Sequence, residues 1–236
     1  LWLHTDGAWG GVAFLHPELR KKYVHGIEAI DSFTFDAHKM LSVPLICSFL
    51  FINNKKGLLG KTCDIGDSSY IFHEENESYD LGPNSLQCGR RVDILKFYLE
   101  WQYYGKLGIE KRITKLLELV EYAEQKVQDE EKLKLSVKRE SFNLCFYYDC
   151  DKGIEKNNFN QLLRDTLYYK GLSMVNCSEF HGKKCIRFIV SNAELEKKDI
   201  DVFFETLLSE AKILEKKQNA LHNLEKSANS FLELLS

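Results

Sequence analysis

The sequence has 236 residues, 44% hydrophobic and 28% charged, with a net charge of -3. That is the composition of a folded globular chain, long enough for one large core or two modest ones. The slight acidity gives no reason to expect nucleic acid as a partner, and the longest apolar run, residues 43–52, is too short to span a bilayer.

Residues 1–5 are predicted as a strand, and 6–16 as a loop relieved by Gly7, Gly10 and Gly11. Pro17–Tyr23 reads as one or two helical turns, with Pro17 at the first position, where its missing N–H is no loss. Residues 26–29 lead into a short strand, Ser32–Asp36, in which Phe33 and Phe35 alternate with Ser32 and Thr34. The strand stops at a polar cluster ending in His38-Lys39. Residues 45–52 are almost continuously apolar, which predicts a strand buried on both faces of a mainly parallel sheet, and 53–57 read as a turn.

Residues 58–84 are mostly polar and are predicted as a long loop, of the kind that serves as a functional lid. A helix is expected over 89–105, with Val92, Leu95, Leu99 and Tyr103 as its apolar stripe and Gly105 as its end. A second covers about 109–128, with Ile113, Leu116, Leu117, Val120 and Ala123 on its apolar face. Strands are predicted at 133–137, 143–148, 173–177 and 184–190, alternating with helices at about 155–170 and 196–218; this describes a small α+β domain. Residues 220–236 repeat apolar positions as an amphipathic helix suited to surface docking. Seven cysteines (47, 63, 88, 145, 150, 177, 185) show no paired metal spacing. They predict reduced thiols in a cytoplasmic protein, and no metal site.

Lys39, just past the end of a buried strand, is placed where desolvation can free its amine as a nucleophile. Taken alone, His-Lys at a strand end is an ordinary terminus. A second stretch, Leu1-Trp2-Leu3-His4-Thr5-Asp6-Gly7-Ala8-Trp9-Gly10-Gly11, carries a strand into a carboxylate and a small-residue turn. Asp6 alone reads as a turn-former. Asp6 and Lys39 together are what pyridoxal phosphate (PLP) requires, namely a carboxylate for the pyridine nitrogen and a lysine for the aldehyde. Ala8 is small enough to lie against one ring face.

Three ordered motifs, His4 to Gly11, Asp36 to Lys39 and Gln87-Cys88-Gly89-Arg90-Arg91-Val92-Asp93, resemble those of the group II PLP-dependent amino-acid decarboxylases. The likeness is to the branch of glutamate and cysteine sulfinate decarboxylases. It implies an α/β fold of PLP-dependent transferase fold type I, aspartate aminotransferase-like. Residues 1–110 would be the C-terminal half of the PLP-binding large domain and 111–236 a small α+β C-terminal domain. By the same resemblance the chain, which begins inside a strand without methionine, is the carboxyl-terminal portion of a longer enzyme. Its missing N-terminal half would carry most of the phosphate-cradling loop, so the chain alone is expected to be inactive.

The resemblance also implies roles. Lys39 would bond the PLP aldehyde, Asp6 pair with the pyridine nitrogen, and His38 contact the phosphate or ring or else pack behind them. Asp36 stands where relatives often use Asn. Tyr70, followed by Ile71-Phe72, matches the mobile-loop tyrosine that returns a proton to the substrate carbon; a packing anchor is the bland alternative. The run after Tyr79 is shorter than in close relatives, which bears on how that loop closes. Arg187, in Cys185-Ile186-Arg187-Phe188, matches the arginine that grips the substrate α-carboxylate, with a structural ion pair as the competing reading. The expected reaction is decarboxylation of a small-molecule L-amino acid, most simply an acidic one, in a homodimer whose subunits share the site. The alternatives are an inactive split homologue that acts as a dimerisation subunit, and a fold type I PLP enzyme with another reaction.

Overall fold

The computed structural model describes residues 1–53, 57–63, 82–87 and 89–235. The chain divides into two compact units, Leu1–Glu110 and Lys111–Ser236.

The first unit opens with β1 (His4–Gly7), a 3-10 helix (Gly10–Leu15), α1 (Pro17–Tyr23), a second 3-10 turn (Ile27–Ala29), β2 (Ser32–Asp36), α2 (Ala37–Met40) and β3 (Ser48–Ile52). Their sheet has the order β1-β2-β3, with β1 parallel and β3 antiparallel to β2. Strand alternation gives it two unlike faces. Phe33 lies opposite Phe51 and Phe35 opposite Phe49. Phe14 of the 3-10 helix meets Phe33, Phe35 and Phe51 edge-on, at centroid distances of 5.7, 5.1 and 6.1 Å. The other face carries His4, Asp6, Ser32, Thr34, Asp36 and Ser48, with Leu50 and Ile52 of β3 beside them.

Gly7 is required by this packing: a Cβ there would stand 2.3 Å from the Phe33 ring and 2.7 Å from the Thr34 carbonyl oxygen. α1 begins at Pro17 as the sequence predicts, with His16 Nδ1 accepting from the Leu19 amide at 3.4 Å.

Several expectations are corrected in this unit. β1 starts at His4 and runs through Gly7, and the segment expected to be loop contains a 3-10 helix. β3 is antiparallel, and Leu50 and Phe51 are exposed, so it is not a strand buried on both faces of a parallel sheet. Its apolar run gives no information on strand direction. The expected long loop begins with a helix, α3 (Leu58–Cys63), and ends in a 3-10 turn, Gly82–Asn84. Tyr70, Ile71, Phe72, Tyr79 and Cys88 lie outside the described residues.

α4 (Ile94–Asp129) is interrupted at Gly105, where φ is 61° and ψ is -179°, a backbone that favours glycine. Before that break the predicted stripe points outward: Val92, Leu95, Leu99 and Tyr103 are exposed by 49 to 81%. The packed face is instead that of Phe97, edge-on to Phe49 at 5.1 Å, and Trp101. After the break, Ile113, Leu116, Val120 and Ala123 are buried as expected, with Leu119 also buried and Leu117 only partly so.

The second unit contains β4 (Leu133–Leu135), β5 (Asn143–Tyr148), α5 (Lys156–Tyr169), β6 (Asn176–Phe180), β7 (Lys183–Ile189) and α6 (Lys197–Leu235). The strands form an antiparallel sheet in the order β4-β5-β7-β6. Tyr148 stacks on Phe159 of α5, while Phe146 and Phe188 pack on Phe204 of α6. These contacts place both helices on one face. The helices predicted at 196–218 and 220–236 are one, because no glycine or proline interrupts them. Glu215 anchors α6, accepting from Tyr148 Oη at 2.9 Å, the Asp151 amide at 2.7 Å and Lys132 Nζ at 3.2 Å.

Candidate active site

β1 and β2 run parallel and side by side, so their carboxyl ends meet at one edge of the first unit's sheet. That edge is where ligands are held in α/β proteins. Asp6 lies opposite Thr34 in this register. Its Oδ1 accepts from the Ala8 amide at 2.9 Å and from Thr34 Oγ1 at 3.4 Å, which fixes the carboxylate although the residue is exposed. The Asp36 amide donates to the Ala8 carbonyl at 3.2 Å, tying the end of β2 to the turn after β1.

Beyond Asp36 the chain makes the single turn of α2, which carries His38 and Lys39. Lys39 Nζ lies 2.9 Å from Asp36 Oδ2, with 40% of the lysine side chain exposed and 13% of the aspartate. Burial pushes the Asp36 carboxyl up, but hydrogen bonds from Lys39 and Ser48 and the nearby positive charge outweigh it, and its pKa falls below the ordinary value. His38 Nδ1 is held by the main chain of Cys47, 3.1 Å from its nitrogen and 3.0 Å from its oxygen, while Nε2 is 4.0 Å from Asp36 Oδ2.

Asp6, Ala8, His38 and Lys39 are thus gathered in one unit. Arg187 belongs to the other. It lies on β7 opposite Cys145 of β5 and Asn176 of β6, and its Nε donates to Asn143 Oδ1 at 3.3 Å. The thiols of Cys145 and Cys185 share that face. The hydrogen bond from Cys145 lowers the Cys185 thiol below its ordinary range, against burial, and holds Cys145 well above it. Tyr70 lies outside the described residues.

Thr34 and Ser48 carry no role in the sequence reading, and His4 enters it only as the first residue of the His4 to Gly11 motif. Thr34 shares the period-two face of Ser32 and Asp36, a signal present in the sequence. Ser48 needed the antiparallel register to be found opposite Asp36. His4 lies within 2.7 Å of Ser32 Oγ and 3.5 Å of Thr34 Oγ1. An apolar cavity of about 410 Å³, lined by Phe14, Phe35, Phe49, Phe97 and Trp101 among others, opens on the opposite, aromatic face and includes none of these groups.

The donors fit PLP in kind: an accessible amine, a carboxylate oriented by two hydrogen bonds, and a methyl side chain between them in sequence. No cluster of metal-ligating residues occurs among the described residues.

The sequence profile described as the pyridoxal-dependent decarboxylase conserved domain matches residues 1–149. The chain is 33% identical over 221 residues to a human protein named acidic amino acid decarboxylase GADL1, a match covering 88% of this chain and 42% of that protein. Among solved structures, mouse CSAD in its apo form superposes with a TM-score of 0.79 at 28% identity, covering 89% of this chain and 46% of that one. An Oryza sativa TDC with PLP and tryptamine superposes at 0.81 with 22% identity, covering 91% and 45%, a likeness of fold. The chain therefore spans less than half the length of these relatives, and its fold is that of the fold type I PLP-dependent decarboxylases.

Proposed function

The chain belongs to the pyridoxal-dependent decarboxylase family, and on that premise we propose that it supplies the lysine-bearing part of an enzyme that decarboxylates an acidic L-amino acid. The observation that carries this reading is the placement of Asp6 near the carboxyl end of β1 and of Lys39 just past the carboxyl end of β2, its parallel neighbour. The acidic substrate class is supported by the name of the human relative.

Bound PLP supplies an aldehyde for an amine and a protonated ring that takes up the electrons left when CO2 departs. Lys39 would hold the aldehyde end of the group through its amine, and its long, half-exposed side chain would leave room there for a substrate amine. Asp6, held by the Ala8 amide and Thr34, would present its negative charge to the ring nitrogen and favour a proton there. Ala8 presents a small surface to the ring, and His38, pinned by Cys47, packs beside Lys39. Arg187 grips the substrate α-carboxylate with its planar fork and orients the bond that breaks. Tyr70 returns a proton to the former α-carbon.

Two subunits would share each site. The outward stripe of Val92, Leu95, Leu99 and Tyr103 supports this, since an apolar face of that kind is suited to a second copy. The rest of the site, including most of the phosphate cradle, would come from polypeptide outside this sequence. The open setting of Asp6 and Lys39 supports that division, as does the span of less than half of the relatives. The free thiols of Cys47, Cys150 and Cys185, all buried, are in keeping with a cytoplasmic enzyme. No helix among the described residues is long and apolar enough to cross a membrane.

The reading is tested by supplying the full-length protein with PLP and, in turn, glutamate, aspartate, cysteine sulfinate and an aromatic amino acid. CO2 and the matching amine are expected from one or more acidic substrates. Release from the aromatic substrate alone would overturn the assignment.

A further inference from the structure

In the second unit, β5 and β7 pair antiparallel from Asn143 opposite Ile189 to Phe146 opposite Ile186, and the same register would set Tyr148 opposite Lys184. The ladder stops short of that pair. The Tyr148 amide donates to Asn160 Oδ1 at 2.8 Å, and the Tyr148 carbonyl accepts from Asn160 Nδ2 at 3.0 Å. The Lys184 amide donates to Asn157 Oδ1 at 2.9 Å, and Asn157 Nδ2 donates to the Gly182 carbonyl at 2.9 Å. Two asparagines of α5, with Asn160 fully buried, thus take the main-chain groups that the two strands would otherwise share. The strand ends are left splayed. The gap holds a cavity of about 140 Å³ lined by Tyr147, Lys156, Asn157, Asn160, Lys183 and Lys184. That is room for a small polyatomic ion, where a single water needs about 10–15 Å³.

The lining contains three lysines and no carboxylate. Lys156 is paired with Asp149. Lys184 Nζ donates to the neutral Gln161 Oε1 at 3.2 Å, Lys183 is exposed, and neither forms an ion pair among the described residues. Two other carboxylates stand near. Glu155 is held by the Asn157 and Asn158 amides at 3.0 and 2.6 Å, and Glu179, opposite Lys184 on β6, is exposed. Because Glu155 already takes those amides, the cavity is made by side chains and not by the start of α5. Like charges gathered at one small gap repel, and an anion placed between them relieves that repulsion. We propose that the splayed end of β5 and β7 binds a phosphate group, as the free ion or as a small phosphate ester. Lys183 and Lys184 bring two charges that have no carboxylate partner, which favours a dianion over a monocarboxylate, and Lys binds phosphate as a point charge. Tyr147 and Asn157 add neutral donors to the lining. The site lies wholly in the second unit and uses neither Asp6 nor Lys39, so it stands or falls apart from the function proposed above.

The test is titration calorimetry of the full-length protein, already loaded with PLP so that any cradle for the cofactor's own phosphate is filled. Inorganic phosphate, glycerol 3-phosphate and acetate are titrated separately at one fixed ionic strength. Saturable binding of one phosphate per chain is expected, and whichever of the free ion and the ester binds more tightly identifies the source. Lys183→Gln and Lys184→Gln, each folded by circular dichroism, should weaken binding by about tenfold, the loss of one charge-assisted hydrogen bond. The double variant should abolish it. Lys170→Gln, which alters a lysine paired with Glu210 on another part of the unit, should leave it unchanged. Acetate should bind at least about tenfold more weakly than phosphate. Absence of saturable phosphate binding would overturn the proposal. Binding that persists at wild-type strength in the double variant would mean an adventitious ion only, and would overturn it equally. Acetate bound as tightly as phosphate would overturn the assignment of a dianion.

Discussion

Asp6 and Thr34 face each other across the parallel β1–β2 pair, and the Thr34 hydroxyl reaches Asp6 Oδ1 at 3.4 Å. The shorter hydrogen bond to Asp6, 2.9 Å from the Ala8 amide, comes from the turn that follows β1. The carboxylate is therefore oriented before any ligand arrives, at modest cost because it is exposed. Asp6→Asn preserves this hydrogen-bonding shape and removes the charge. It is expected to leave PLP attached through Lys39 and to lower kcat by about 100-fold or more, because an amide cannot retain the ring proton. Thr34→Val, which removes only the longer hydrogen bond, should cost much less. Near-normal turnover in Asp6→Asn would make Asp6 a turn residue and nothing more.

Arg187→Lys replaces a fork that can make two parallel hydrogen bonds to a carboxylate with a point charge. An increase in KM of about tenfold is expected, equivalent to roughly 1.4 kcal/mol, with the fold intact by circular dichroism. Unchanged steady-state constants would leave Arg187 as the partner of Asn143 within the sheet.

How much of this was legible in the sequence depended on whether the signal was local. α1 and β2 were read with their observed bounds, since Pro17 fixes a helix start and the Phe33/Phe35 alternation fixes a strand. The direction of β3 is not legible in its residues, because Phe49 and Phe51 point to one face while Leu50 and Ile52 point to the other, so the run looks apolar in any sheet direction. In α4 the stripe of Val92, Leu95, Leu99 and Tyr103 exists, but so does the face of Phe97 and Trp101. Periodicity reports that a face is apolar and not which partner covers it. Asp6 and Lys39 were legible as a pair through motif spacing. The link between Asp36 and Ser48 was not, because it depends on a register 12 residues apart in sequence.

Gly7 gives a test of packing rather than chemistry. Gly7→Ala would press a methyl group against Phe33 and the Thr34 carbonyl oxygen, and a loss of about 1–3 kcal/mol in unfolding free energy is expected. Adding Phe33→Leu should recover part of that loss by removing the ring contact, while the carbonyl contact remains. A Gly7→Ala protein as stable as wild type by urea denaturation would contradict the packing described for β1 and β2.

In the second unit, Glu215→Ala would leave Tyr148 Oη, the Asp151 amide and Lys132 without their shared acceptor. The expected cost is about 1–3 kcal/mol, set mainly by the buried Tyr148 hydroxyl, since Lys132 keeps Asp151 at 2.7 Å. Denaturation unaffected by this change would show that α6 is anchored elsewhere.

Tyr70→Phe should still release CO2, but the amine formed per CO2 should fall below one, because the proton donor contributes typically 100- to 10,000-fold to its step. An unchanged ratio at the wild-type rate would remove Tyr70 from the reaction.

The most direct measurement of the central claim is borohydride reduction of the PLP-loaded full-length protein, followed by peptide mapping. The account predicts one equivalent of reduced pyridoxyl label per chain, on Lys39, and loss of the visible chromophore in Lys39→Ala. Label on any other lysine, or an unaltered chromophore in Lys39→Ala, would contradict it.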